Sequence, residues 1–259
     1  MKTINPNRKP KISVVIPTYN EEINLKTTLL AVKNQNCNFT YEIIVVDGQS
    51  TDNTVNIAKS FKNVQVYVSP QKGKVYQLNY AAPKTFGELI LFLDADTLIE
   101  PFFLQKIVKI LKRKKNLFAC SARFSYYNGK ALSFKIGSMR FIITSYFFFN
   151  IAVHLWYLFK TFLGYPELSG CNIIVRRDIF FEAGGFKQPP KSLGIDKVFS
   201  DSLLYLIKKL KKGKIKTLNF VSVLTDGRHL NFRRSLNRVS QYFSQKEIYY
   251  ELAKKINVN

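Results

Sequence analysis

The feature that most constrains this chain is an alternation. Apolar, β-branched runs stop abruptly in polar loops, and stretches with helical spacing follow them. "KISVVIPTYN" starts at Lys11, "YEIIVVDGQS" at Tyr41 and "ELILFLDADTLIEP" at Glu88. Between the first two, Ile23, Leu25, Leu29, Leu30 and Val32 recur at the period of a helix. A further strand is expected over Val64 to Val68, and helices over about 52–61, 75–82 and 101–114. Strands alternating with helices predict an α/β fold, a mostly parallel sheet with helices on both faces. In such sheets ligands gather at the carboxyl ends of the strands. Asp47, Asp94 and Asp96 all fall there, so the two acidic clusters are expected to face one crevice. Asp94 and Asp96 stand one residue apart at the end of a buried run. Each is costly there without a partner, and they repel one another unless a cation lies between them.

The remainder is less regular. It holds an aromatic stretch over 134–165, a strand-like "CNIIV" at 171–175 and a turn at 182–186. A basic helix at about 201–212, two short strands near 214–224 and a last helix from about Arg233 to Lys255 follow. At 259 residues and 46% hydrophobic, the chain can bury a large core. Cys37, Cys120 and Cys171 lie far apart without CxxC spacing, against a zinc ribbon or disulfide framework and in keeping with a reducing compartment. Forty Lys and Arg against seventeen Asp and Glu give +23, which predicts anionic partners: nucleic acid, a phosphorylated substrate or an anionic membrane. "MKTINPNRKPK" has no apolar core, so no secretory signal is expected.

Five segments occur in order: "VVIPTYNEE" (14–22), "VVDGQSTDNT" (45–54), "KGKVYQLNYAA" (72–82), "LFLDADTLIEP" (91–101) and "SGCNIIVRRDIFFEAGGF" (169–186). Each alone is weak, but five in sequence over about 200 residues is specific. Together they resemble the family 2 glycosyltransferases of the GT-A fold. The resemblance implies a nucleotide-sugar donor, a divalent cation, Mg²⁺ or Mn²⁺, and transfer with inversion. It implies one GT-A domain over 1–259, with a donor-binding half at about 11–100, an acceptor half at about 101–230 and the C-terminal helix at 231–259.

Asp94 and Asp96 then match the family's DxD pair, Asp96 as metal ligand and Asp94 as nucleotide contact, with exchange of roles left open. Hard cations prefer such carboxylate oxygens. Pro17, Thr18, Tyr19, Asp47 and Ala95 match donor-site positions. A tyrosine ring can stack on a base, and a carboxylate can accept a base N–H. Relatives often carry two consecutive acids where this chain has Asp47-Gly48, so base identity stays open. Glu21 and Glu22 either touch the sugar or cap the first helix. Lys72 and Lys74 flank Gly73 near the diphosphate, and Arg228 is a further diphosphate contact. His229 is a candidate to complete the metal site, whereas His154 reads as a packed histidine.

The catalytic base is read in "VFSDSLLYLIKKLKKGKI" (198–215). Asp201 takes the place of the family's aspartate, and Ser200 replaces the preceding glutamate. The spacing to Gly213 is about one residue longer than is usual in the family, which keeps Asp196 as the alternative. A carboxylate there would take the proton of an attacking hydroxyl; an ionised phosphate acceptor would need no base. The stretch 141–159 approaches a membrane span in length. A span would place the donor motifs and the candidate base on opposite sides of the bilayer. A helix over 134–165, lying in the interface beside the acceptor site, is expected instead. The resulting reading is a cytoplasmic enzyme, peripheral on the inner face of the membrane, acting on a glycan or polyprenyl-phosphate-type lipid acceptor. Two alternatives are weaker. A sugar nucleotidyltransferase would carry a Gly-rich loop near its start, and "PTYNEE" does not match one. A nucleic-acid-binding module accounts for the charge but leaves the three aspartates without a purpose, and no recognisable RNA-binding signature is present.

Overall fold

The computed structural model describes residues 9–127, 131–136, 139–144, 146–190 and 193–228. The apolar runs form the expected strands: β1 (Ile12–Thr18), β2 (Tyr41–Asp47), β3 (Val64–Val68) and β4 (Leu89–Leu93). Three helices lie between them: α1 (Leu25–Lys33), α2 (Thr54–Lys59) and α3 (Lys74–Ala81). A short β5 (Thr97–Ile99) and α4 (Phe103–Arg113) follow, then β6 (Leu117–Tyr127), β7 (Ala131–Ile136) and β8 (Met139–Thr144). The chain continues through α5 (Phe147–Phe162), β9 (Asn172–Arg176), α6 (Arg177–Glu182), α7 (Ile195–Leu210) and β10 (Lys214–Asp226).

Eight strands join in the order β3-β2-β1-β4-β9-β6-β10-β5. The first four are parallel, whereas β9 runs antiparallel to both β4 and β6. Alternation along the strands divides the core. Val14, Ile16, Val45, Leu91 and Leu93 pack with Leu25 and Leu29 of α1 and Phe103, Leu104 and Ile107 of α4. Val15, Ile44, Val46, Ile90 and Phe92 pack with Leu78 of α3, Phe180 of α6 and Phe199 and Leu203 of α7. Strands buried on both faces read as continuous apolar runs.

Two placements set up the site. After β3 the chain returns to the other side of β1, so the topological switch falls between β1 and β4. Because β9 is antiparallel, with Asn172 opposite Leu93, its entry loop Ser169-Gly170-Cys171 arrives at the carboxyl end of β4. The carboxyl end of β10 reaches the same rim.

Several expectations are corrected. A single aromatic helix over 134–165 does not form: β7 and β8 make an antiparallel hairpin, and only α5 is helical. Phe134, Phe141, Ile142 and Ile143 favour strands, and Gly137-Ser138 between the two runs is the signal that distinguishes them. The 201–212 helix begins earlier, at Ile195 with Gly194 as N-cap, so Asp201 lies within the helix. The two strands near 214–224 are one, β10, broken by a register shift between Leu218 and Ser222. The C-terminal helix expected from Arg233 lies outside the described residues.

Candidate active site

A cleft of about 530 Å³ opens at the switch point, lined by Pro17, Thr18, Tyr19, Glu21, Lys72, Gly73, Lys74, Gln77, Asp94, Ala95 and Asp96. Asp94 and Asp96 leave β4 on its carboxyl side. Lys74, in the first turn of α3, donates to Asp94 at 2.5 Å and to the Gly170 carbonyl at 3.3 Å, tying α3 and the end of β4 to the β9 entry loop. Gly73 takes φ +118° before that turn, a conformation that favours glycine. Lys72 lies 5.7 Å from the ring centroid of the half-exposed Tyr19.

Asp96 is the more perturbed carboxylate. Burial, the Asp94 charge and the Glu21 charge push it up to about 6, against the pull of Arg228 and a hydrogen bond from Thr225. Thr97 and Thr225 donate to its Oδ1, each at 3.3 Å. Arg228 pairs with Glu21 and lies 3.8 Å from Asp226, which Asn24 also holds at 3.1 Å. Glu21 therefore faces the cleft rim. Glu22 instead accepts from the Asn53 backbone at 3.0 Å, steadying the start of α2.

Among the described residues no group of three or more His, Cys, Asp or Glu side chains is set to hold an ion. Asp94 and Asp96 still fit a divalent cation. Mg²⁺ is usually held by one or two carboxylates together with substrate phosphates, and the mutual repulsion that raises Asp96 is what a cation between the pair would relieve. His229 lies outside the described residues.

Asp47 does not line the cleft. It is 1% exposed, and its oxygens accept from Thr18 Oγ1 at 3.0 Å, Ser50 N at 2.8 Å and Ser50 Oγ at 2.5 Å. Its observed work is to lock the loop after β2 to the end of β1. Gln77 is the cleft residue that sequence reasoning missed, and the unusual Asp47-Gly48 pair was the available signal. A Cβ on Gly48 would lie 2.9 Å from the Gln77 amide carbon. Gly48→Ala should therefore destabilise the fold by about 1–3 kcal/mol through overpacking, read from denaturant midpoints. An unchanged midpoint would show that Gln77 yields freely.

The two candidate bases separate. Asp201 pairs with Lys197 and lines another cleft, of about 340 Å³, with Glu182, Lys187, Tyr205 and Lys209. Asp196 sits in the first turn of α7, against the β9 entry loop: a Cβ on Gly170 would lie 3.3 Å from its Oδ2. Ser200 accepts the Leu168 N–H at 3.0 Å and donates to the Asp196 carbonyl at 2.7 Å, pinning that loop to α7. Five residues at about 100° each put Asp196 and Asp201 roughly 140° apart around the helix.

The profile of Glycosyl transferase family 2 matches residues 13–182. The chain belongs to this family. Among relatives of this family 2 chain, a dolichyl N-acetyl-α-D-glucosaminyl phosphate 3-β-D-2,3-diacetamido-2,3-dideoxy-β-D-glucuronosyltransferase of Methanococcus voltae is 31% identical over 111 residues, 40% of the chain and 35% of that protein. The chain spans about a third of the curated relatives it matches first. Two solved structures share its fold. The mannosyltransferase PcManGT of Pyrobaculum calidifontis, in complex with GDP-Man and Mn²⁺, superposes with TM-score 0.62 at 19% identity, over 99% of this chain and 67% of that one. S. aureus TarS in complex with UDP-GlcNAc gives 0.61 at 20%, over 85% and 60%. The GT-A architecture accounts for the mixed sheet.

Proposed function

We propose that this chain transfers a sugar, with inversion, from a nucleotide-diphosphate sugar to an acceptor, using a divalent cation. The observation that carries the reading is the cleft itself. Two carboxylates, two lysines and an exposed tyrosine converge at the switch point of a GT-A sheet. Tyr19 offers its ring to the base. Lys72, Lys74 and Arg228 offer positive charge to the diphosphate. Mg²⁺ or Mn²⁺, held by Asp96 with Asp94 on the nucleotide side, would neutralise the leaving group. Asp196, in the first turn of α7 against the β9 entry loop, takes the proton of the attacking hydroxyl. Residues of about 11–100 form the donor half in this reading, and those of about 101–230 the acceptor half. A thermal-shift series of UDP-, GDP- and dTDP-sugars with Mn²⁺, followed by release of the nucleoside diphosphate in the presence of acceptor, tests it. No shift with any donor overturns it.

The acceptor is proposed to be lipid-linked, used at the inner face of the membrane. The Methanococcus relative is named for a dolichyl-phosphate-linked sugar. On α5, Phe148, Ile151, Leu155, Phe159 and Phe162 recur at spacings of three and four and are exposed. The opposite side of α5 packs on β6 through Phe124–Tyr157 and Tyr126–Phe149 contacts, and Asn150 hydrogen-bonds both backbone groups of Tyr126. Tyr146, just before α5, donates to the Gly227 carbonyl at 3.0 Å, beside Arg228 at the cleft rim. Among the described residues no helix is long and apolar enough to cross a membrane. Replacing Phe148, Leu155 and Phe162, which are 72%, 59% and 86% exposed, with serine should release the protein from anionic liposomes. The apolar contribution should persist in high salt, which screens the lysines. A wild-type chain that never floats with liposomes ends the membrane proposal.

A further inference from the structure

The geometry points to Gln77 as the residue that reads the nucleobase, by accepting the base's ring N–H through Oε1. This inference rests on the nucleotide-sugar reading and assigns the recognition to a residue other than Asp47.

Gln77 is 3% exposed, yet it lines the cleft together with Thr18 and Tyr19. Both of its amide protons are committed. Nε2 donates to the Thr18 carbonyl at 2.7 Å and to the Val46 carbonyl at 2.9 Å, bridging the ends of β1 and β2. Those two acceptors fix the amide's orientation, because a flipped group would set oxygen against two carbonyls. The oxygen accepts no hydrogen bond from any described residue, and among those residues no buried side-chain oxygen or nitrogen lacks a partner. Oε1 therefore opens to the cleft. Gly48 makes this possible, since a Cβ there would lie 2.9 to 3.1 Å from the amide atoms. The carboxylate nearest in sequence, Asp47, is buried with its oxygens already held by Thr18 and Ser50.

A fixed acceptor beside an exposed tyrosine face suits a base that stacks and presents a ring N–H. Uracil and thymine do so at N3, and guanine does so at N1. Cytosine and adenine present a lone pair at the matching ring nitrogen, which faces Oε1 as acceptor against acceptor. Sites built to hydrogen-bond an N–H reject analogues that lack it more strongly than apolar pockets reject a missing methyl.

The test uses the full chain with Mn²⁺ and calorimetric titration of UDP, GDP, dTDP, CDP and ADP. The tightest binder is then compared with its ring-N-methyl analogue, N3-methyl for UDP or dTDP and N1-methyl for GDP. Wild type should favour UDP, dTDP or GDP over CDP and ADP, and should lose about tenfold or more in affinity on methylation. Gln77→Ala, which leaves room for the methyl, should bring parent and analogue within about twofold of one another. Wild-type preference for CDP or ADP, or equal binding of parent and methylated forms, overturns the assignment while leaving the donor reading intact. Absence of binding by every nucleoside diphosphate overturns the donor reading and the assignment together. The wild-type comparison stands even if the Gln77→Ala protein fails to fold.

Discussion

Asp96→Asn is expected to reduce transfer by at least about 10³-fold and to remove the dependence of donor binding on Mn²⁺. The substitution is nearly isosteric. It keeps an oxygen for Thr97 and Thr225, which now donate to Oδ1. It removes a charge that burial, Asp94 and Glu21 already disfavour, so the protein without metal should be no less stable than wild type. The fold control is therefore built in: an unchanged or raised melting temperature with lost transfer assigns the effect to the site. Transfer that survives in the variant, or in wild type after thorough chelation, removes the cation from the mechanism.

Asp196→Asn should lower turnover by about 10²-fold or more while the affinity for donor stays near wild type, the pattern of a group that acts in the chemical step. Asp201→Asn should stay within a few-fold of wild type, since Asp201 pairs with Lys197 on the far side of α7 and lines a different cleft. The reverse pattern would return the role to Asp201. Near-normal turnover in both variants would point to an acceptor that is already ionised, such as a phosphate, for which no base is needed.

Much of the cleft was legible in the chain. Apolar runs ending in Thr18, Asp47 and Asp94 carried period, length and termination together, and strands buried on both faces have few other ways to read. Lys72, Lys74, Tyr19 and Glu21 stood in short motifs whose order matched the family, and all of them line the cleft. The second half of the chain was harder. Aromatic residues suit strands as well as apolar helices, so 134–165 hid a hairpin and a helix in one hydropathic stretch. For α7, the basic helical pattern was visible, but not that Gly194 capped it about two turns before Asp201.

The sequence by itself determined the α/β class, the acidic strand ends and the carboxylate pair at the end of β4. These follow from local periodicity and from the cost of ending a buried run in charge. The tertiary structure alone decided which of these groups lie together. It buried Asp47 behind Thr18 and Ser50, turned Asp196 toward Gly170 and Asp201 away, and set Gln77 against Gly48 with its oxygen free. The physical reason is that these outcomes depend on contacts between residues distant in the chain: the antiparallel entry of β9 beside β4, and the direction in which one helix presents each of its faces.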